Sequence, residues 1–496
     1  MKVKQLILLT ILFALMVSCA GRIEAPVKEA RAVWYSRFEY CGSTRTHNQD
    51  SIKLHISSVI DKAADANFNI ILFQIRGNGD AYYKSDIEPW GKHLTGEFGK
   101  DPGWDPLEYA VKKAHSRGLE LHAWINTFPV WRGTEPPVKT SPLSPYLAHP
   151  EWLVCGTSGK PQPLTNHYVS FSPGIPQVHD YLITLVKDIV SRYDIDGIHF
   201  DYIRYPEGST KNGYSHDSIS VRRFQDPEDG NPYGLEWEDW QREQLNQFVY
   251  KMYNAIHEMD PALKMSASTI GSYNKGTWNG YHAVYQDGRR WAEMGKVDYL
   301  APMIYWERTH PIQPFMKRSE EWRENAFDRY CFPGMGSYRY NTDKKPHTWD
   351  ETLGQIRDMR KKGFPGFVFF DAGSLEGHWE DLGFREFATP ANIPPMPWLK
   401  VQDPVLPENI TVEMLDKNLI RIRWNNTTDQ WQRYNIFVAK GADIDSLSSH
   451  HLRMVTLPGA NTAELKISNQ DTHIALSALN KAWVESPLSR VIPFRE

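Results

Sequence analysis

One short stretch of the sequence places an acid, an arginine and two tyrosines directly after an apolar strand. The stretch is DGIHFDYIRYP, from Asp196 to Pro206. Successive side chains of a strand point to opposite faces, so Ile198 and Phe200 share one face and His199 and Asp201 share the other. A purely structural strand has no need of a carboxylate at its end, and Asp201 is therefore a candidate base or nucleophile.

Other predicted strands repeat this arrangement. By the same count, the inward-facing polar or aromatic residues are Gln74 and Arg76, His122, Trp124 and Asn126, Ser266 and Ser268, and Asp371. Burying so many polar groups costs free energy unless they hydrogen-bond to one another or to a ligand. The pattern predicts a functional pocket, and an internal network of satisfied polar groups is the alternative.

The elements that must position these residues alternate along the chain. The predicted strands are Arg31–Ser36, Ile70–Arg76, Leu119–Asn126, Gly197–Tyr202, Lys264–Thr269, Asp298–Tyr305, Cys331–Ser337 and Gly366–Asp371. The predicted helices between them include Ile52–Ala66, Pro106–Arg117, Gln177–Tyr193, Trp237–Met259, Ala283–Met294 and Trp349–Lys361.

Strand followed by helix, about eight times, is the pattern of a (β/α)8 TIM barrel, whose active sites lie at the carboxyl ends of the strands. A doubly wound open sheet is the alternative. It is disfavoured because no Gly-rich phosphate loop follows the first strand. We expect the barrel to span residues 29–388.

The pattern changes after the eighth predicted strand. Thr389–Trp398 reads TPANIPPMPW, and we expect a proline-rich linker over residues 389–403. Short alternating strands follow over residues 404–496. They predict a small C-terminal β-sandwich that resembles a fibronectin type III domain.

The N-terminus has the features of an export signal. Two lysines precede an apolar run that is too short to span a membrane, and the run ends in LMVSCAG. This resembles a bacterial lipoprotein signal, which implies a signal peptide of residues 1–18, lipidation of Cys19, a tether of residues 19–28 and a place in the cell envelope. An ordinary secretory signal is the alternative.

Composition excludes some classes of function. The formal net charge of −4 gives no basic surface for nucleic acid. Among the remaining cysteines, Cys41, Cys155 and Cys331, the spacing indicates no zinc cluster and no disulfide framework, although one bridge is possible. His122 and His199 are isolated, and the chain has no Gly-x-Ser-x-Gly motif. We predict no metal and no cofactor.

Several long motifs resemble one family. They are GDAYYKSDIEPW, DPGWDPLEYAVKKAHSRGLELHAWIN, YDIDGIHFDYIRYP, WQREQLNQFVYKMYNAI and VYQDGRRWAEMGKVDYLAPMIYW. Together they resemble the bacterial glycoside-hydrolase-like family 10, from about Glu29 to Asp371. The resemblance implies an exported TIM-barrel relative of glycosidases that acts on an oligo- or polysaccharide.

Glycoside hydrolysis requires two carboxyl groups that flank the scissile bond. Asp201 is the candidate nucleophile or base, and we expect the nearby Arg204 to lower its pKa and keep it ionised. Glu307 in MIYWERTH is the first candidate for the acid, because its aromatic neighbours favour the protonated form. Asp371 is the second candidate.

The remaining candidate residues would bind the sugar through hydroxyl contacts or ring stacking. They are Gln74, Arg76, Asp80, Tyr83, Trp124, Asn126, His199, Arg204, Tyr205, Tyr305 and Trp306. The alternative function from another class is a non-catalytic surface lipoprotein that captures glycans. A second carboxyl group across the cleft from Asp201 would favour the enzyme.

Overall fold

The computed structural model describes residues 25–42, 47–342, 347–425 and 430–495. The predicted signal peptide and Cys19 lie outside these residues. Within the described ranges, no helix is both long and apolar enough to cross a membrane.

Parallel strands close into a barrel. In chain order they are β1 Ala30–Tyr35, β2 Ile70–Arg76, β3 Glu120–Asn126, β4 Gly197–Asp201, β5 Lys264–Ile270, β6 Tyr299–Ile304, β7 Tyr330–Cys331, β8 Gly334–Met335 and β9 Gly366–Phe370. The sheet runs β8-β9-β1-β2-β3-β4-β5-β6-β7, and β8 also pairs with β6, which closes the ring. Because β7 and β8 occupy one position, the barrel has eight positions. The predicted TIM barrel is confirmed.

The seventh position departs from the prediction. One strand was expected over Cys331–Ser337, whereas β7 and β8 are separated by Phe332 and Pro333. Proline has no backbone N–H to donate to a neighbouring strand, so a continuous ladder cannot pass through Pro333. The Pro333 carbonyl still accepts a hydrogen bond from the Val368 N–H at 3.0 Å, which holds this segment against β9.

The longer helices, of six residues or more, lie between and after the barrel strands. They are Gln49–Asp65, Pro106–Ser116, Pro176–Arg192, Ser218–Gln225, Trp237–Met259, Gly288–Glu293, Phe315–Glu324, Trp349–Lys361 and Trp379–Arg385. Helices of four or five residues are Arg37–Cys41, Pro145–Ala148, Ser209–Asn212, Gly280–Ala283 and Arg339–Thr342, and 3-10 turns span Lys92–Leu94, Pro150–Trp152 and Gly373–Leu375.

Local signals explain where two of these helices begin and end. The Asp105 side chain caps Pro106–Ser116 by accepting the N–H groups of Leu107 and Glu108, and Gly118 follows its end at φ 78°. The single helix predicted over Ala283–Met294 was wrong. The chain leaves the helical region at Tyr285, where φ is 57°, and the helix starts only at Gly288.

The C-terminal region forms two antiparallel sheets. Its strands are β10 Glu408–Asp416, β11 Leu419–Asn425, β12 Arg433–Ala439, β13 Leu452–Val455, β14 Thr462–Lys466, β15 His473–Leu479 and β16 Ile492–Pro493. One sheet has the order β10-β11-β14 and the other the order β13-β12-β15-β16. The resemblance to fibronectin type III stays a prediction.

This region contacts the amino-terminal end of the barrel through a buried ionic cluster. The Glu120 carboxylate accepts hydrogen bonds from Lys264 Nζ at 2.8 Å and from the Trp483 indole N–H, and His122 Nε2 lies 3.0 Å from its other oxygen. Lys264 also donates to the Lys481 carbonyl at 3.0 Å. The buried charges of this cluster therefore have protein partners.

Candidate active site

The polar interior of the barrel forms a floor beneath the site. Trp34 Nε1 donates to His199 Nε2 at 2.9 Å, and His199 Nδ1 lies 2.8 Å from the Ser266 hydroxyl. Since an indole N–H can only donate, Nε2 is the acceptor, and the proton of the neutral imidazole resides on Nδ1. Burial holds the pKa of His199 well below its usual range. The predicted inward parity of His199, Ser266 and Ser268 is confirmed.

Asp201 stands at the carboxyl end of β4, where the chain turns sharply. The next residue, Tyr202, has φ of 55°, a left-handed conformation that costs a non-glycine residue of order 1–2 kcal/mol. In this conformation the Tyr202 N–H donates to Asp201 Oδ1 at 2.6 Å. The turn therefore fixes the carboxylate through a backbone N–H.

The predicted net effect on the Asp201 pKa was wrong. Burial raises the pKa of Asp201 to about 6, because desolvation outweighs the opposing effects of the Arg204 charge and the Tyr202 N–H. Arg204 acts in the expected direction, but its guanidinium lies 4.4 Å from the Tyr202 ring and 3.7 Å from Glu207. Asp201 is 7% exposed and Arg204 is equally buried.

Two cavities adjoin each other at the loop after Asp201 and form one cleft, although Asp201, Asp371 and Glu39 are not among the residues that line either cavity. The first has a volume of about 640 Å³ and the second about 570 Å³, and Arg204 and Glu207 line both. The first is also lined by Arg132, Gln162, Pro163, Thr165, Asn166, His167, Tyr168, Ser170, Tyr202, Tyr205, Pro206, Gly208 and Tyr214. The second is also lined by Ile270, Gly271, Trp278, Met303, Tyr305, Trp306, His310, Tyr338 and Arg339.

Tyr305 connects Asp201 with a second acidic group. Its ring stacks on Phe370 at 5.3 Å, directly before Asp371 at the end of β9. After burial, the charges of Asp201 and Asp371 are among the causes that raise the pKa of Tyr305 well above its usual range. Two carboxyl groups therefore act on one phenol at this face of the barrel. Burial also raises the pKa of Asp371.

A third carboxyl group, Glu39, lies beside Asp371. Glu39 belongs to the short helix after β1, and its Oε1 accepts the Gly373 N–H at 2.5 Å while its Oε2 accepts the Ser36 N–H at 2.6 Å. Burial and the negative charge of Asp371 raise the pKa of Glu39 to about 8. The site thus contains carboxyl groups with clearly different affinities for a proton.

Several predicted sugar-binding side chains lie behind the cleft wall, which corrects their assignment. Arg76 forms a completely buried ion pair with Glu88 at 2.7 Å and also donates to the Asn126 carbonyl. Tyr83 is fully buried and packs edge-on against Tyr193. His199 is equally inaccessible. None of these three side chains offers a surface to a ligand in this structure.

A buried amide network accounts for two more predicted residues. Arg37 donates to Gln74 Oε1 at 2.9 Å, and Gln74 Nε2 donates to Asn126 Oδ1 at 3.1 Å. Arg37 also donates to the Tyr168 hydroxyl at 3.2 Å. Because Tyr168 lines the cleft, Gln74 and Asn126 hold the cleft wall in place rather than form its surface.

Asp80 and Trp124 also lie under the surface. Asp80 Oδ1 accepts the N–H groups of Gly77 and Asn78, and so closes the turn after β2. Trp124 points into the barrel interior, as its parity predicted, where it packs with Trp34 and its neighbours. Its exposed fraction of 4% leaves no free face for stacking on a sugar.

The rim residues after β4 and β6 lie where they were expected, except for Glu307. Tyr305 and Trp306 line the second cavity, and Tyr205 lines the first although it is almost fully buried. Glu307 lines neither cavity, and its carbonyl accepts the N–H groups of His310 and Phe315 to hold the loop. Asp371 also lines neither cavity, but the residue before it, Phe370, stacks on the cleft residue Tyr305, and Asp371 is therefore the acid candidate that we retain.

The model of the family described as Glycosyl hydrolase-like 10 matches residues 29–331. The chain belongs to this family. Glycosyl hydrolase YngK of Bacillus subtilis (strain 168) is 27% identical over 450 residues, which cover 84% of this chain and 83% of that relative. Glycosyl hydrolase DigH of Escherichia coli (strain K12) is 32% identical over 267 residues. That match covers 50% of this chain and 56% of DigH, so the chain spans little more than half the length of this relative.

A solved structure supports the fold of this family member. The PgaB (BpsB) glycoside hydrolase domain from Bordetella bronchiseptica superposes with a TM-score of 0.52 at 14% identity, covering 71% of this chain and 98% of that domain. At this identity the likeness concerns the fold alone. Family and fold together define a glycosidase-type TIM barrel.

The structure adds cleft residues that the sequence did not reveal in this family member. Arg132 and Tyr168 come from an antiparallel pair of strands, Pro129–Arg132 and Tyr168–Ser170, inserted after β3. Trp278 comes from the loop after β5, and the guanidinium of Arg204 lies 5.9 Å from its ring. The sequence signal that marks Glu39 is its position three residues after Ser36, a capping-box spacing, but this spacing indicates the start of a helix rather than a functional site.

Proposed function

We propose that this protein is a glycoside hydrolase that cleaves an oligo- or polysaccharide in the cleft. Asp201 acts as nucleophile or base, and Asp371 belongs to the group that supplies the proton. The observation that carries this assignment is that Asp201 ends β4 and Asp371 follows β9, both at the carboxyl end of the barrel, where the ring of Tyr305 stacks on Phe370. A second carboxyl group at this face of the barrel supports an enzyme over a module that only captures glycans.

The directions of the pKa shifts are compatible with separate roles. With a pKa of about 6, Asp201 is mainly ionised at neutral pH, as a nucleophile or base requires. Burial favours the protonated form of Asp371, as an acid that protonates the leaving oxygen requires. Two acids in different environments are the usual means by which one site performs both steps.

The cleft lining supports a sugar as the ligand. Tyr202, Trp278 and Trp306 offer aromatic faces, and the Arg204 guanidinium lies between the first two. Flat amphipathic rings pack against the apolar faces of sugar rings while their edges stay hydrated. The names of the relatives YngK and DigH, both glycosyl hydrolases, agree with this ligand class.

The test compares wild type with Asp201→Asn and Asp371→Asn on a panel of bacterial, plant and host glycans. Release of reducing ends and binding are followed together. We expect wild type to release sugar and each variant to release it about 10²–10⁴-fold more slowly, because each removes one acid–base group. Binding should be retained, since asparagine preserves the size of the side chain.

Glu307→Gln is the matched control, because Glu307 lies on the same rim and holds its loop through its backbone carbonyl, which the substitution leaves in place. We expect its rate to remain within about threefold of wild type, a difference of less than one kcal/mol. Binding of a glycan without release by wild type would replace the hydrolase with the glycan-capturing alternative. A large loss in Glu307→Gln alone would return the acid role to that residue.

We propose in addition that the protein is exported as a lipoprotein anchored through Cys19. The support is the LMVSCAG sequence after a short apolar run. Metabolic labelling with a tritiated fatty acid should mark wild type and not Cys19→Ser. Label that persists in the variant would contradict the anchor.

A further inference from the structure

Glu39 and Asp371 come from neighbouring strands of the closed barrel. β1 pairs with β9, and Trp34 lies opposite Phe370 in the register. Asp371 immediately follows β9, and Glu39 lies in the first turn of the helix after β1. The two carboxyl groups therefore meet at one point of the rim, although they are separated by most of the chain.

Gly373 shows how close the two groups are. A methyl group placed on Gly373 would lie 3.2 Å from Glu39 Oε1 and 3.8 Å from Asp371 Oδ1. The Gly373 N–H donates to Glu39, and the next N–H, of Ser374, donates to Asp371 Oδ1 at 3.0 Å. Two successive N–H groups of one backbone turn thus bind both carboxyl groups.

We propose that Glu39 is a positioning residue that shares one proton with Asp371 at neutral pH and so keeps the pair able to donate it. Two carboxylates held this close repel each other when both are ionised, and a proton between them removes the repulsion. The proposal that this proton is used in glycoside cleavage rests on the proposed function. The proposal that Glu39 and Asp371 share the proton does not depend on that function.

Charged and titratable groups lie on the elements around the pair. Arg37, two residues before Glu39, donates to Gln74 and Asn78. Lys62, on the helix Gln49–Asp65, pairs with the exposed Glu376 at 2.7 Å. Tyr305 stacks on Phe370 beside Asp371, and the helix Arg339–Thr342 carries Tyr340, which donates to the Ser374 carbonyl, and Arg339, which donates to the Tyr305 carbonyl.

The direction of the pKa shifts agrees with this geometry. Burial and the Asp371 charge raise the pKa of Glu39 to about 8, and burial raises that of Asp371. The pair should therefore hold a proton at about pH 7 and lose it near pH 8. The two groups titrate together, so the proton belongs to the pair.

The test measures infrared absorption of protonated carboxyl groups between about pH 6 and 9 on the full protein. This signal excludes histidines and requires no substrate. We expect wild type to lose the signal of about one protonated carboxyl near pH 8 and Glu39→Gln to lack that transition. In Asp371→Asn the transition should move to lower pH, because Glu39 no longer faces a second charge.

Glu376→Gln is the control, since it removes an exposed carboxylate two residues from Ser374 and should leave the transition unchanged. A transition that persists in both Glu39→Gln and Asp371→Asn would overturn the proposal, as would its absence from wild type. Circular dichroism checks the fold of each variant. Glu39→Asp, which keeps the carboxyl group on a shorter side chain, should recover part of the transition.

The glycan assay separates this proposal from the proposed function. If wild type releases sugar, the rate of Glu39→Gln should decline at lower pH than that of wild type, because Asp371 then holds its proton alone. Sugar release with an unchanged pH profile and no infrared transition would refute the shared proton and leave the hydrolase intact. An infrared transition without sugar release would refute only the hydrolase.

Discussion

Both ends of the barrel bury acidic side chains, but the surroundings shift the pKa values of these acids in opposite directions. At the amino-terminal end, Glu120 contacts Lys264, His122 and Trp483, and these partners hold its pKa below the usual range despite burial. At the carboxyl end, burial dominates and raises the pKa of Asp201 and of Glu39. The same fold thus contains one acid whose partners lower its pKa and others whose pKa is raised by burial.

This difference distinguishes an acid with a structural role from acids that are candidates for a functional role. A buried carboxylate with a lysine, a histidine and an indole around it is satisfied and contributes to the folded state. Carboxyl groups whose pKa is raised by burial cost free energy when they are ionised, and such groups are typical of sites that bind or transform a ligand. The contrast agrees with the general location of TIM-barrel active sites.

The largest expected effect on stability comes from removing the lysine that pairs with Glu120 at the amino-terminal end of the barrel. Lys264→Met removes the cation from Glu120 and leaves a buried carboxylate, so we expect the free energy of unfolding to fall by about 3–5 kcal/mol. Chemical denaturation measures this change. Lys112→Met is the control, because Lys112 pairs with Glu108 on an exposed helix surface and should change stability by less than about 1 kcal/mol. Equal effects of the two variants would contradict the contrast between the ends.

A smaller effect, an increase in stability, is expected when Asp201 at the carboxyl end of the barrel is replaced. Ionised Asp201 is a cost to the folded state, because its folded pKa of about 6 exceeds the usual value of 3.8. Wild-type stability should therefore fall as the pH rises from about 4 through 6, whereas Asp201→Asn does not share this loss. At about pH 8 the variant should be more stable than wild type by roughly 1–3 kcal/mol, and at pH 4 the two should be equal.

Denaturation at both pH values checks this prediction. Asp403→Asn is the control, because Asp403 is an exposed acid in the segment before β10. A variant Asp201→Asn that is less stable than wild type at pH 8 would mean that the carboxylate is held by favourable interactions, like Glu120. The two ends would then be alike.

The sequence was most informative where periodicity is strict. In β3, Leu121, Ala123 and Ile125 face the helices while Trp124 faces the interior, as their alternation predicted. Strand parity works there because each side chain of a barrel strand has one of two environments. The same reasoning found Asp201, since packing alone seldom requires an inward-facing carboxylate at the carboxyl end of a barrel strand.

Sequence reasoning was weaker where a partner comes from a distant loop. Arg76 has the right parity for the cleft, but Glu88 folds back from the following loop and buries it. Glu39 is close to Asp371 only because β1 pairs with β9. Neither distance along the chain nor residue type predicts such pairs, because they depend on closure of the barrel and on the path of individual loops.

The chain enters the barrel at the end opposite the cleft. Lys28 pairs with Glu485 of the C-terminal region at 3.1 Å, and β1 then runs toward the site. Strands of this length rise about 20 Å at 3.3 Å per residue. Lys28 and the mouth of the cleft therefore lie at opposite ends of the barrel strands, so the C-terminal region that contacts Lys28 leaves the approach to the cleft open.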